Sequence, residues 1–574
     1  MKSAAILVCC GVLSTTLISA QPSQAQTQAQ TLPGIGDAVR QADETRKHAP
    51  SPQTNAEPVL PRLVDPPFTL NDHEKLLVRS IQVDGPKLTG EAELRAILAP
   101  YENRRLTLAE IYEAADKVTL LYRNRGYLVA KTYVPAQNAR KGVLRFKIVV
   151  GKYGTITLKN ESLVRDDFLR GVIDQALAAS PFIHQDELER AMLLTSDLPG
   201  AGMPRVAIAR GQQPETSDFV FGVPEARRVD GYLLADNFGS PYTGRDRLTG
   251  GINLNSPLGF GDRLSAFGIV TDDKHLLNGR IAYSAPLGYN GLRGEIAAYR
   301  TTYTLGSIYQ SLNATGTADA FSAALTYPVL RGRDESIYIS GGYTHKKLND
   351  NVLGVSIADR NMDVGLLSVT RDTVGALAGL PLITSAMFSI SGGTVDFPDP
   401  AQRATNLAGV HTAGDFAKIN LNLNAVLAFT DKLSLATSVR AQKFLRGNLD
   451  SSEQLGLTGY YGVRSYDEGL AGDSGYLFTP ELRYALPEIQ SYRHSVGLFT
   501  DVGAVWLENP AFTTLQKGYT QLNAVGLGYY ANYEYSPRRL VLLKAQVAHS
   551  YGSNAGAQTY DRGTKALVQI GVTF

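Results

Sequence analysis

The sequence predicts a transmembrane β-barrel of about 16 antiparallel strands, preceded by two small α+β modules and an N-terminal helix and linker. Three observations predict it. The helical period ends near residue 226, and short apolar/polar alternations then continue for about 350 residues with no helices to cover their apolar faces. Seven short turn segments divide that stretch at intervals of two strand lengths. The closing run places Ala566, Val568, Ile570, Val572 and Phe574 on one face, an alternating strand that ends on an aromatic. A soluble sandwich alternates too, so the missing cover and the closing aromatic decide between the two.

Composition agrees with an exported β-protein. Of 574 residues, 29 are Tyr and 55 Gly, against 5 Met and 1 Trp; aromatics suit pleated surfaces and Gly suits turns. Lys and Arg number 56 against 54 Asp and Glu, a balance that does not favour nucleic acid as a partner. Residues 1–25 read as a signal peptide, with Lys2, an apolar run from Ala4 to Ile18, and cleavage after Ala20 or Ala25. Both cysteines, Cys9 and Cys10, fall inside it, so the mature chain is expected to carry no disulfide, thiolate-bound metal or Cys nucleophile. No cofactor or metal is expected.

The order along the chain is then as follows. Residues 26–47 include "GIGDAVRQADETRK", one short polar helix; residues 48–70 are Pro-rich and read as an extended linker. Residues 71–151 form a first module. "LLVRSIQVDG" is a strand and "TGEAELRAIL" a helix opened by Thr89. "TLAEIYEAADKVTLLYRNRGY" is a helix capped by Thr107 with Glu110, with Leu108, Ile111, Ala115, Val118 and Tyr122 on one stripe; two strands follow it. Residues 152–225 repeat the order strand, helix, helix, strand, strand, an interaction-type tandem. Residues 226–574 are the barrel. Its short turns are expected at 256–262, 286–291, 328–335, 378–381, 430–432, 486–493 and 536–539, with more variable polar connectors at the other end.

The sixth such connector holds "GVRSYDEGLAGDSGYLFTPELRY". Gly472-Asp473-Ser474-Gly475 matches the surroundings of a trypsin-like nucleophile, but Tyr476 stands where another Gly belongs and no His base is supported by a motif. The chain is therefore not expected to be an enzyme. The surrounding residues resemble something else. Val463-Arg464-Ser465-Tyr466 is similar to the sixth-loop signature Val-Arg-Gly-Tyr/Phe of the two-partner secretion transporters, and Phe499-x-Asp501-x-Gly503 to their barrel-wall signature. "DNFGSPYTGRDRL" with "NSPLGFGDRL", and Tyr122–Gly154, resemble the family's opening hairpin and its first polypeptide-transport-associated (POTRA) module. The resemblance covers the chain from about residue 70 onward.

That resemblance implies a sixth loop folded into the lumen, with Arg464 paired to Asp501 on the wall. The residues alone admit another reading, a solvated loop arginine and an ordinary lumen carboxylate. Parity agrees that Asp501 faces inward: Val496, Leu498, Val502, Ala504 and Trp506 share the lipid-facing register, and a charge there costs about 2–4 kcal/mol near the midplane. If Ser465 occupies a backbone position that needs positive φ, it costs on the order of 1 kcal/mol relative to Gly. Asp473 reads as a turn former at the loop root. Glu481 and Arg483, with lumen parity, are expected to share a polar network with it. By resemblance the protein is an outer-membrane translocator of a Gram-negative bacterium, monomeric, surrounded by outer-membrane lipid, with its modules in the periplasm. It would export one cognate exoprotein recognised in extended form through an N-terminal secretion domain. The competing class is a factor that inserts other barrels.

Overall fold

The structure, a computed structural model, describes residues 32–50, 58–60, 74–139, 141–467, 469–509, 518–552 and 563–574. The expected signal peptide, most of the linker and most of the last long connector lie outside the described residues.

In the first module, Thr107 and Glu110 form the reciprocal cap: Glu110 N donates to Thr107 Oγ1 (3.2 Å) and Thr107 N to Glu110 Oε2 (2.8 Å). The helix Leu108–Asn124 buries Ile111, Ala115, Val118 and Tyr122 against a three-stranded sheet. It ends at Gly126, whose φ of +90° suits only Gly well. The sheet order is Ser80–Asp84, Val143–Val150, Ala130–Tyr133, with the first pair parallel. Two expectations need correction here. The run from Leu76 to Asp84 is not one strand: Lys75–Val78 pairs with Arg104–Thr107, and Ser80–Asp84 joins the main sheet. The helix Glu91–Leu98 is N-capped by Gly90, not by Thr89, whose buried hydroxyl finds no partner.

The second module has the order Lys152–Asn160, Thr216–Val223, Arg205–Arg210, with helices Asp166–Leu177 and Gln185–Ser196 on one face. It continues the first module through Tyr127 edge-on to His184 and Gln185 N donating to Gly126 O. It sits on the barrel's short turns. Arg331 binds Asp197 bidentately at 2.8 Å, Arg165 N donates to Gly259 O, and Phe168 packs on Phe260 and Tyr289. Gly171 faces Tyr289 so closely that a Cβ would lie 2.7 Å from the ring. Gly171→Val is accordingly expected to weaken this seat by about 1–3 kcal/mol. The measurement is faster proteolysis at residues 224–228 in the detergent-solubilised protein, with barrel strands unaffected.

The barrel is closed and wholly antiparallel. Its strands are β1 Val229–Asp236, β2 Arg247–Asn255, β3 Arg263–Thr271, β4 Leu276–Pro286, β5 Arg293–Thr304, β6 Thr315–Arg331, β7 Glu335–Val352 and β8 Val355–Leu377. They continue as β9 Leu380–Asp396, β10 Gly414–Ala428, β11 Leu433–Arg446, β12 Ser474–Ala485, β13 Tyr492–Trp506, β14 Tyr519–Ser536, β15 Arg539–Tyr551 and β16 Thr564–Thr573. The count of sixteen and all seven short turns agree with the sequence reading. One of the other connectors does not: β7 and β8 meet in a two-residue turn, Leu353-Gly354, both with positive φ, as a tight hairpin requires.

The alternation does what a bilayer demands. Leu233, Ile296, Phe321, Leu367, Leu498 and Val568 point out and are exposed to lipid, while small and polar residues point in. The wall is uneven in height. On β7 and β8 the outward positions turn polar above Tyr343, with His345, Lys347 and Asn349 beside Asp363, Asn361 and Asp359. On β1 and β16 the outward positions Ala235, Ala566, Val568 and Ile570 are apolar, with Thr564 at the top of β16 the polar exception.

Candidate functional site

The lumen is filled by two pieces of chain: the helix Ile35–Lys47 and the loop between β11 and β12 (loop 6). The helix enters with Gly36 against loop 6; a Cβ on Gly36 would lie 2.1 Å from Ser451 Oγ. Its first turn buries Ile35, Ala38 and Val39 among Leu276, Tyr303, Leu348, Met362 and Leu449. The rest of its hold is polar. Ile35 N donates to Asp350 Oδ1 (2.7 Å), so a wall carboxylate sits at the positive end of the helix dipole. Arg40 donates to Ser451 O (2.6 Å), Glu44 pairs with Arg440 (3.0 Å), Arg247 donates to Thr45 Oγ1 (3.0 Å) and His48 stacks on Tyr461. Burial alone would raise the Glu44 carboxyl, but Arg440, Lys47 and His48 outweigh it and hold it at about 2. The pair's contribution is therefore complete above the ordinary carboxyl value and fades only as the pH falls towards 2.

Loop 6 is pinned along both limbs. On its descending limb, Asp450 accepts from Arg360 Nε (2.6 Å), and the same Arg360 donates to Asp350 Oδ2 (2.9 Å). Glu453 takes Lys346 (2.6 Å) and Lys418 (2.9 Å), all three buried. At the tip, Val463, Arg464, Ser465 and Tyr466 are buried. Arg464 donates to Asp501 three times: Nη2 to Oδ1 (2.7 Å), Nε to Oδ2 (2.9 Å) and its backbone N to Oδ2 (3.1 Å). Its guanidinium lies 3.4 Å above the Phe499 ring centroid, a cation–π stack.

Each part of the Phe-x-Asp-x-Gly signature has its own task. Phe499 is the platform, and Gly526 opposite it on β14 leaves the room: a Cβ there would lie 2.2 Å from the ring. Asp501, fully buried, is the anion. Gly503 makes space for Leu457 and Leu477, which pack with Val463 and Tyr466 in one apolar cluster.

Two sequence expectations about this region change. Ser465 is not among the positive-φ residues, so it carries no left-handed strain; instead its fully buried hydroxyl has no hydrogen-bond partner. Asp473 is not brought together with Glu481 and Arg483. It stitches the loop root, accepting from Leu449 N, Gln454 Nε2 and Glu508 N. Glu481 and Arg483 pair at 2.8 Å farther down β12, with Tyr530 donating to Glu481 and Gln546 donating to Tyr530. Ser474, of the Gly-Asp-Ser-Gly run, donates to Glu508 and accepts from Phe444 N at the top of β12.

Sequence reasoning missed the wall partners Lys346, Asp350, Arg360 and Lys418 and the loop carboxylates Asp450 and Glu453. A signal was there for some of them: Lys346 and Asp350 share inward parity with Ser340, Gly342 and Thr344 on β7.

Comparisons with known proteins agree with this geometry. The family model described as haemolysin secretion/activation protein ShlB/FhaC/HecB matches residues 215–529, and a POTRA domain of ShlB type matches residues 76–151. The heme/hemopexin transporter protein HuxB of Haemophilus influenzae (strain 86-028NP) is 26% identical over 443 residues, 76% of this chain and 77% of HuxB. The outer membrane transporter CdiB of Escherichia coli is 24% identical over 524 residues, 88% of this chain and 83% of CdiB. The solved structure of CdiB from Escherichia coli shares the fold, with a TM-score of 0.73 at 18% identity, covering 96% of this chain and all of that one. The matched region exceeds half of the sequence, so the chain belongs to the haemolysin secretion/activation family, the outer-membrane transporters of two-partner secretion.

Proposed function

We propose that this outer-membrane transporter takes a single cognate exoprotein from the periplasm in extended form, engages its N-terminal secretion domain on the two modules, and threads it through the lumen once the helix and loop 6 have moved. The observation that carries this is the nature of the plug. Apart from one apolar turn and the cluster around Val463, it is held by ion pairs and hydrogen bonds, which water and a passing polypeptide can replace. The modules support the first step: among the described residues the second module's sheet ends on Arg205–Arg210 with no further strand beside it, whereas the Ala130–Tyr133 edge of the first is covered by Thr119 and Arg123. An extended segment gains backbone hydrogen bonds there with little demand on sequence. Directionality would come from folding of the cargo outside.

The latch role of Arg464 and Asp501, with Val463, Ser465 and Tyr466 shaping the tip and Phe499 and Gly503 the wall, belongs to this proposal. So does a polar lumen lining by Glu481 and Arg483. Deletion of the chain in its own host tests the reading against barrel insertion. Loss of one large exoprotein from the medium with normal porin levels is expected; a general loss of porins would replace export by assembly.

A further inference from the structure

The plug meets one side of the wall through charge of a single sign. On strands β7 to β11 the inward side chains include four cations, Lys346 of β7, Arg360 of β8, Lys418 of β10 and Arg440 of β11. Each is paired to a carboxylate of the plug. Arg360 donates to Asp450 (2.6 Å), Lys346 and Lys418 share Glu453 (2.6 and 2.9 Å), and Arg440 holds Glu44 (3.0 Å). Register sets them in a descending row. Lys346 lies opposite Met362, one inward position below Arg360; Glu453 ties Lys418 to the height of Lys346; Arg440 lies opposite Asn422, two inward positions below Lys418.

Carboxylates are missing from the same face. On these five strands they point inward only at Asp350, above the row and already held by Arg360, and at Asp372, near the short turns. The others, such as Asp359 and Asp363, have outward parity. The plug in turn keeps its own cations away from this wall. On the helix, Arg40, Arg46 and Lys47 pair with Asp37, Asp43 and Glu44 of the same helix. Residues 447–473 of loop 6 hold five Asp and Glu against one cation, Arg464, which is spent on Asp501 of β13.

We propose that the row Arg360, Lys346, Lys418, Arg440 is a track for acidic stretches of the exported polypeptide, and that Glu44, Asp450 and Glu453 stand in for them while the lumen is plugged. The inference rests on the export reading and names the chemical class that the lumen takes. Withdrawal of the plug strips four neighbouring cations of their partners in a narrow, low-dielectric passage, where charge of one sign is focused rather than screened. Carboxylates of a passing chain restore the charge-assisted hydrogen bonds one by one, so cargo and plug exchange places on the same groups. A Lys- or Arg-rich stretch finds no partner on this face.

Displacement of the plug by a peptide tests it on the full-length protein in detergent. Ala42 is buried on the helix, and the expected mature chain has no thiol, so maleimide labelling of Ala42→Cys reports release of the helix. Decaglutamate is expected to raise labelling at a concentration at least ~10-fold below that needed with a Gly-Ser decamer, and added salt should narrow the difference. In the Lys346→Gln/Lys418→Gln/Glu453→Gln background, which leaves no buried charge unpaired, the preference for decaglutamate should fall to near that of the neutral peptide. Equal labelling with the two peptides, or a preference unaltered in that background, overturns the proposal. If the triple variant fails to insert, Glu44→Gln/Arg440→Gln neutralises the lowest rung with its plug partner and is read the same way. The displacement needs no partner protein, so its failure is separate from failure of the export reading, which the deletion experiment decides.

Discussion

Replacing Asp501 by Ala is expected to release loop 6 from the wall and abolish export while the barrel stays inserted. The carboxylate is fully buried and takes three hydrogen bonds from Arg464. Its loss strands a guanidinium on the Phe499 face with no counter-charge, at a cost of about 3–5 kcal/mol for a buried pair broken on one side. Because each 1.4 kcal/mol is about tenfold, the population with loop 6 in place falls by roughly two to three orders of magnitude. The double variant Arg464→Ala/Asp501→Ala should be milder in stability than Asp501→Ala, since it leaves no unpaired charge. Arg464→Lys should fall between, keeping the charge but losing the fork geometry. Secretion of the co-expressed partner and protease access to residues 455–470 are the measurements. Normal export by correctly inserted single variants would remove the latch from the mechanism.

The second large effect is expected at Arg360. One guanidinium joins Asp350, which receives the helix N-terminus and the Tyr303 hydroxyl, to Asp450 on loop 6. Arg360→Met leaves two buried carboxylates near each other without their shared cation, again about 3–5 kcal/mol. Both the helix and the descending limb of loop 6 lose their hold at one stroke, so large, long-lived open-channel conductance in planar bilayers is expected, together with entry of bulky antibiotics into cells. Arg440→Gln, at the other end of the helix, breaks the pair with Glu44 and the hydrogen bond that Arg440 donates to Tyr461 O, and should give brief openings. A closed channel in Arg360→Met would show that the apolar turn at Ile35, Ala38 and Val39 is the true anchor.

The barrel was legible because its signals are local. Alternation has a period of two, and the short turns repeat at a fixed spacing, so strand number followed from Ser256 to Arg539 without any long-range knowledge. The module order was legible for the same reason, through the Thr107–Glu110 cap and the stripe that follows it. Errors arose where a local rule had competitors: Gly90 took the cap from Thr89, and the run from Leu76 to Asp84 split because its halves pair with different strands. The plug was largely invisible. Asp350, Arg360 and Asp450 are 10 and 90 residues apart, and Ile35 lies 315 residues from its carboxylate. No periodicity announces such pairs. Arg464 and Asp501 were the exception, since a family signature marks each, and inward parity supported Asp501. Asp473 was misplaced because parity gives a face but not a height: it lies at the loop root, while Glu481 and Arg483 lie down the strand.

The uneven height of the wall makes the outer opening a spout rather than a level ring. Roughly nine residues of β7 and of β8 stand beyond the lipid at ~3.3 Å each, tilted by about 40°, which is a parapet on the order of 20 Å. Across from it, β1 ends at Asp236 and β16 begins at Thr564, with apolar outward positions at Ala235 and Ala566. A polypeptide emerging from this mouth is screened on the β7–β8 flank.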